Sequence, residues 1–261
     1  MVVLRCALLG SLAIVASGCI NSSSLVRVKP DGSGTIEQTM LVNLAAVKGL
    51  MAGIGGAGQN KESGPVMNEA EFKRTAERMG VRPVSLTPLK EGGFEGAKAV
   101  FAFDDITKVR INQDPEVAGA GSSSKNPIKF GLTRQGGTST LTISVDEGAA
   151  ASATERVKEA PSLEQIDPAM LQMVKTMFAG FRIAIDLEVE GKIIKTNADY
   201  VNGSHITLLE LEAEGIFQDE AKLKGLQAKI RPGASLSELR PFLKDIKGVK
   251  VNHPTVTIEY R

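Results

Sequence analysis

"FRIAIDLEVEGKIIKTNADYVNGSHITLLELEAEGIF", residues 181–217, carries the longest β signal in the chain. Phe181, Ile183, Ile185, Leu187 and Val189 alternate with Arg182, Asp186, Glu188 and Glu190, so one face of the strand is apolar and the other polar. Turn residues at Glu190-Gly191-Lys192 and at Asn202-Gly203 predict an antiparallel meander with one solvated face. Helices over Asp219–Lys229 and Ser235–Ile246, then a last strand over Thr255–Tyr260, give an α+β layout: antiparallel β-hairpins and a meander packed with several short helices.

Working outward toward the N-terminus, the same grammar repeats. "IKFGLTRQGGTSTLTISV" (128–145) is a hairpin turning at Gln135-Gly136-Gly137. Val81–Leu86 and Gly96–Asp105 are strands around Glu91-Gly92-Gly93, and "LVRVKPDGSGTIEQTMLVN" (25–43) is a hairpin turning at Pro30–Gly34. The helix over 68–80 opens at Asn68 with Glu71 three residues on, a capping box, and closes at Gly80. Asn43 caps a short helix with Leu44, Val47, Leu50 and Met51 on one face, and Asp167-Pro168 opens another with Met170, Val174, Met177 and Phe178 at helical spacing. Between these units, stretches near 53–66, 114–127 and 147–162 are rich in Gly, Ala and Ser and read as mobile loops.

The first residues have a different character. Met1–Arg5 supplies one positive charge, Cys6–Val15 is an apolar run, and Ala16-Ser17-Gly18 leads to Cys19. That is the layout of an export signal, and it is too short for a membrane span, which takes roughly 20 apolar residues. The stretch Val15–Cys19 resembles the lipobox of bacterial lipoproteins, with Ala16 where leucine is usual. The resemblance implies cleavage between Gly18 and Cys19, a diacylglyceryl group on the Cys19 thiol and an acyl chain such as palmitate on the new amino terminus. Two or three chains suffice for stable anchoring, whereas one binds reversibly. The alternative is a soluble secreted protein in which Cys19 merely lies near an ordinary cleavage site. The expected organisation is a signal peptide at 1–18, a lipidated polar tether at 19–24 and an α+β domain over 25–261.

A second resemblance covers Phe178–Leu211. The order of Phe-Ala-Gly, an alternating strand, "VEGKIIKTNA" and "GSHITLLEL" is similar to bacterial lipoproteins of the LppM-like type, with Glu190 where proline is usual and Leu208 where tryptophan is usual. It implies an envelope lipoprotein able to bind a lipid or protein partner, and it supplies no catalytic residue. Because Ile20 rather than aspartate follows the cysteine, the lipoprotein resemblance points to the outer membrane in a Gram-negative source.

Composition narrows the chemistry. One of the 31 basic residues, Arg5, lies in 1–18, which leaves 30 against 30 acidic residues in the remainder. A balanced chain with no basic tract does not fit a nucleic-acid partner. Cys6 leaves with the signal, so neither an internal disulfide nor a cysteine metal site is expected, and no cofactor is expected either. Gly53-x-Gly55-x-x-Gly58 matches a dinucleotide fingerprint in letters only, since no strand precedes it and no helix begins inside it. His205 and His253 are the only histidines, on separate elements, and His205 reads as a strand-surface residue. Asp104-Asp105 would diverge unless a turn begins there, and the row Asp186, Glu188, Glu190 faces water with Arg182, Lys192 and Lys195 as partners. The expected role is therefore non-catalytic binding or scaffolding, with an envelope enzyme of unfamiliar type as the alternative and a structural spacer as a third reading.

Overall fold

The computed structural model describes residues 20–44, 67–111, 128–145, 172, 175, 176, 178–218, 220–227 and 235–261. The signal peptide, Cys19, the helices expected after Asn43 and after Asp167, and the three glycine- and alanine-rich loops lie outside these residues, apart from Leu44 in the first helix and Gln172, Lys175, Thr176 and Phe178 in the second.

The described residues open on a strand, β1 (Ile20–Val28), which hairpins into β2 (Gly34–Asn43). Helix α1 (Glu69–Met79) follows, then the hairpin β3 (Arg82–Glu91) and β4 (Phe94–Phe103), and a 3-10 turn at Ile106–Lys108. The hairpin β5 (Lys129–Gln135) and β6 (Thr138–Ser144) comes next, followed by β7 (Arg182–Val189), β8 (Ile193–Thr196), β9 (Val201–Asn202) and β10 (His205–Glu212). Three short helices, α2 (Ala213–Ile216), α3 (Glu220–Gln227) and α4 (Leu236–Leu243), precede β11 (Val249–Val251) and β12 (Thr255–Tyr260). An α+β class is the result.

The strands form two sheets. An eight-stranded sheet runs β11-β10-β7-β1-β2-β4-β3 with β9 on β10, and a four-stranded sheet runs β5-β6-β12-β8. Every neighbouring pair is antiparallel except β1 with β7, which is parallel from Asn21↔Arg182 to Val28↔Val189. Residues 21–24, expected as a polar tether, are thus part of a central strand, registered against β2 on one side and β7 on the other. Their small polar side chains hide the strand from hydrophobic patterning, while their backbone groups bond to both neighbours.

The inner faces of the sheets meet in one core. Val26, Ile36, Phe101, Leu187 and Ile206 from the large sheet pack with Leu141, Ile143, Val256 and Ile258 from the small one, and α1 adds Phe72, Ala76 and Met79. α1 is stopped as expected: Asn68 and Glu71 form the reciprocal capping box, and Gly80 takes φ 71°. A smaller apolar cluster, Ile246, Val249 and Val251 with Leu209, Leu211 and Leu243, seats α4 against the β10–β11 margin.

Two of the crossings between the sheets are tight corners. β8 does not return along β7; after Glu190-Gly191-Lys192 it crosses to pair with β12, so the expected three-strand meander is split between the sheets. Gly191 makes the corner with φ 148°, and a Cβ there would lie 2.6 Å from the Arg261 carbonyl oxygen, which accepts from Lys192 N at 2.8 Å. The second corner, Asn252-His253-Pro254, carries the chain from β11 to β12. Tyr260 ties the sheets at the far end: its hydroxyl donates to the Lys29 carbonyl at 3.0 Å, and burial pushes its pKa up to about 12.

Replacing Gly191 with alanine should cost about 2 kcal/mol or more, from a φ available essentially to glycine alone and from the clash with Arg261. Urea denaturation of Gly191→Ala against the parent checks this. An unchanged midpoint would mean that the corner is not held in this conformation.

Candidate functional site

The second sheet-switching corner gathers the densest polar cluster near the core. It begins with a bulge in β10: Thr207 opposes Asp186 and Leu209 opposes Ile185, leaving Leu208 as the extra residue. Buried Asn252 satisfies the local backbone, donating from Nδ2 to Thr207 O (3.0 Å) and from its backbone N to Leu208 O (3.0 Å). Its Oδ1 accepts from the backbone N of Asp199 (3.1 Å) and of His253 (3.0 Å). One side chain therefore joins the bulge, the corner and the loop before β9.

A cavity of about 40 Å³ lies beside it, walled by Ile128, Ile143, Ile185, Leu208, Leu209 and Val256, with Asn252 and His253 as polar lining. That volume accommodates a few waters, against roughly 300–1,000 Å³ for typical small-molecule pockets.

Above the corner, Asp199 is gripped by Arg240 of α4 and by Lys244 Nζ at 2.9 Å. Burial by itself raises the Asp199 pKa, but the hydrogen bonds and charges of Arg240 and Lys244 outweigh it and hold the carboxyl below its ordinary value. Arg240 Nη2 also lies 2.8 Å from His253 Nε2. A guanidinium only donates, so Nε2 accepts in this arrangement and its lone pair is occupied. Arg240 Nε is buried and makes no hydrogen bond. The cluster clamps α4 to the corner; it offers no free base and no hydroxyl nucleophile in contact with the imidazole.

His205, the other histidine, sits on the opposite, outer face of the large sheet. Its Nε2 is 3.1 Å from Asp186 Oδ1, which also accepts from Thr207 Oγ1 at 2.8 Å. In a Ser-His-Asp relay the imidazole stands between hydroxyl and carboxylate; here both donors converge on the carboxylate, so no proton path through His205 reaches Thr207. The rest of this face is a charge ladder. Lys98 meets Glu37 at 2.9 Å, Arg27 meets Glu188 at 3.0 Å, and Glu210 is held by Arg182 at 2.7 Å and Lys250 at 2.6 Å. Two carboxylates of the expected row are thus paired, Glu188 with Arg27 and Asp186 with His205, in place of Arg182, Lys192 and Lys195. A turn does begin at Asp105, whose carboxylate caps Thr107 N at 3.0 Å, while Asp104 pairs with Arg82 at 2.9 Å, so the two aspartates diverge.

Among the described residues no group of three or more His, Cys, Asp and Glu side chains is placed to hold a metal ion, and no helix is long and apolar enough to cross a membrane. Asp199, Arg240, Lys244 and Asn252 were not singled out by sequence. Their partnerships span 41 positions between Asp199 and Arg240 and 45 between Asn252 and Thr207, and no local pattern encodes them.

No family model matches the chain, and no curated protein matches it. Among solved structures, the NMR structure of the folded domain of Mycobacterium tuberculosis LppM aligns over 94% of this chain and 91% of that one, with 12% identity and a TM-score of 0.38. A likeness of this size carries no argument about fold or function.

Asp199→Asn should cost about 0.5–1 kcal/mol, because it leaves Arg240 and Lys244 facing a neutral amide at a solvent-exposed corner. The Glu210 carboxyl, like Asp199, lies below its ordinary value: burial raises it, and Lys250 and Arg182 outweigh that. Both groups titrate lower in the folded chain than in the unfolded one. Their stabilisation is thus complete well above the ordinary values of 4.5 and 3.8 and is lost as pH falls through the folded values. Thermal melts from pH 7 to pH 2 should show a shallower acid loss in Asp199→Asn and Glu210→Gln than in the parent.

Proposed function

We propose that this chain is an exported, lipid-anchored protein of the bacterial cell envelope, held by acyl chains on Cys19, whose α+β domain binds or scaffolds an envelope lipid or protein without catalysis. The observation that carries the reading is the apolar run ending in Ala16-Ser17-Gly18-Cys19, immediately before the first strand residue, Ile20. The cysteine stands at the junction where an export signal would end and the folded domain begins.

A non-catalytic role is supported by the chemistry of the described residues. The cavity beside Asn252 is smaller than a metabolite, the His253 lone pair is occupied by Arg240, and the Asp186–His205 pair lies on an open sheet face with no relay to a hydroxyl. In a bacterium with two membranes, Ile20 after the cysteine favours the outer one.

The test is the intact mass of the full-length chain expressed in a bacterium and extracted from its membranes. The expected species is residues 19–261 plus two or three acyl chains, absent from Cys19→Ala, which should remain uncleaved or become soluble. An unacylated wild-type chain cut elsewhere would overturn the anchor and return the protein to the soluble secreted class.

A further inference from the structure

The strand directions fix which chain segments share an end with Ile20. β1 leaves that end and β2 returns to it, so Ile20 pairs with Val42, and Asn43 pairs with Phe94 at the start of β4. β7 runs parallel to β1, which brings Phe181-Arg182 alongside, and the last residue of β10, Glu212, pairs with Arg182. Glu91 and the β3–β4 turn lie at the same end.

Four of the nine phenylalanines collect there. Phe178 stands edge-on to Phe181 at 5.8 Å between ring centres and lies 6.0 Å from Phe217, and the Phe94 ring fills the space beside Gly180. All four are half-buried, whereas Phe72, Phe101, Phe103 and Phe130 are enclosed in the core. Among the described cations at this end, Lys90 is matched by Glu95 and Arg182 and Lys250 by Glu210, whereas Lys247 bonds to the neutral Gln218.

We infer that this end of the large sheet, with Phe94, Phe178, Phe181 and Phe217, rests on the bilayer that holds the Cys19 acyl chains. The inference depends on the anchor proposed above and goes beyond it by orienting the domain. What commits the occupant to lipid is the chain length: no slack separates Cys19 from the sheet. Ile20 is 4% exposed, and Asn21–Ser24 are each registered against both β2 and β7, so paying out tether would mean stripping two ladders. One extended residue reaches about 3.5 Å, so the anchor residue keeps the domain against the headgroups. Partly exposed aromatic rings suit that interfacial depth.

The experiment uses the natively acylated chain in phosphatidylcholine vesicles with a fluorophore on one introduced thiol, Glu91→Cys at the Ile20 end or Glu190→Cys at the other. Eight strand steps separate the two ends, about 26 Å. Brominated phosphatidylcholine should cut the emission at position 91 by about twofold and leave position 190 unchanged. Adding Phe94→Ser and Phe217→Ser should lower the quenching at 91 while the far-ultraviolet circular dichroism and the acylated mass are retained. Equal quenching at both positions, or none at either, from a chain whose mass shows the acyl groups would overturn the orientation and leave the anchor standing. A mass without acyl groups would overturn both.

Discussion

The double pairing of β1 is the constraint on which the rest of the structure depends. One edge of β1 bonds to β2 and so to the N-terminal hairpins; the other bonds in parallel to β7 and so to β10 and β11. Without it the eight-stranded sheet would fall into two pieces, each with an unprotected edge. The outermost edges are handled differently: β3 carries Pro83 and Pro88 and a bulge beside Val84, which deny a neighbouring strand a regular ladder. A long-range parallel pairing also closes a loop of more than 150 residues, so the native sheet is complete only when both halves of the chain are in place.

Two corners join the small sheet to the large one in addition to the shared core. Gly191 supplies a conformation closed to other residues, and Asn252 supplies hydrogen bonds that a bulged strand and a turning chain would otherwise lack. At the far end Tyr260 and Ser139 bond to the carbonyls of Lys29 and Pro30, so the β1–β2 turn is fastened to β12 and β6. The β-sandwich is thus pinned at both ends, which explains why Asp199, Arg240 and His253 cluster where they do: they seat α4 over a corner that is already constrained.

How legible this was in the sequence follows from the range of the interactions. The capping box of α1, the Gly92-Gly93 and Gly136-Gly137 hairpin turns and the alternation of β7 are local, and each was readable. Asn21–Ser24 was not readable as a strand, because its partners are 14 to 20 residues away on one side and about 160 on the other, and its side chains carry no apolar period. The passage of β8 into the other sheet was hidden for a related reason: a turn at Gly191 announces reversal but not which strand will receive the chain. The Asp199–Arg240–His253 clamp combines three segments whose charges look solvated when read singly.

The distribution of polarity over the finished fold bears on where a partner can act. On the outer face of the large sheet, Glu37, Arg27, Glu188, Asp186 and Glu210 are already bonded to side chains of adjoining strands. A ligand seeking a charge there must displace a partner that is already in place, and surface ion pairs of this kind leave little net field beyond the protein. Polar satisfaction therefore turns the broad face of the sheet into an inert wall. The half-buried phenylalanines at the Ile20 end are the opposite case: aromatic surface that the fold gathers without enclosing. β1 fixes which rings share that end: its register with β2 and β7 brings Phe94 and Phe181 alongside Ile20.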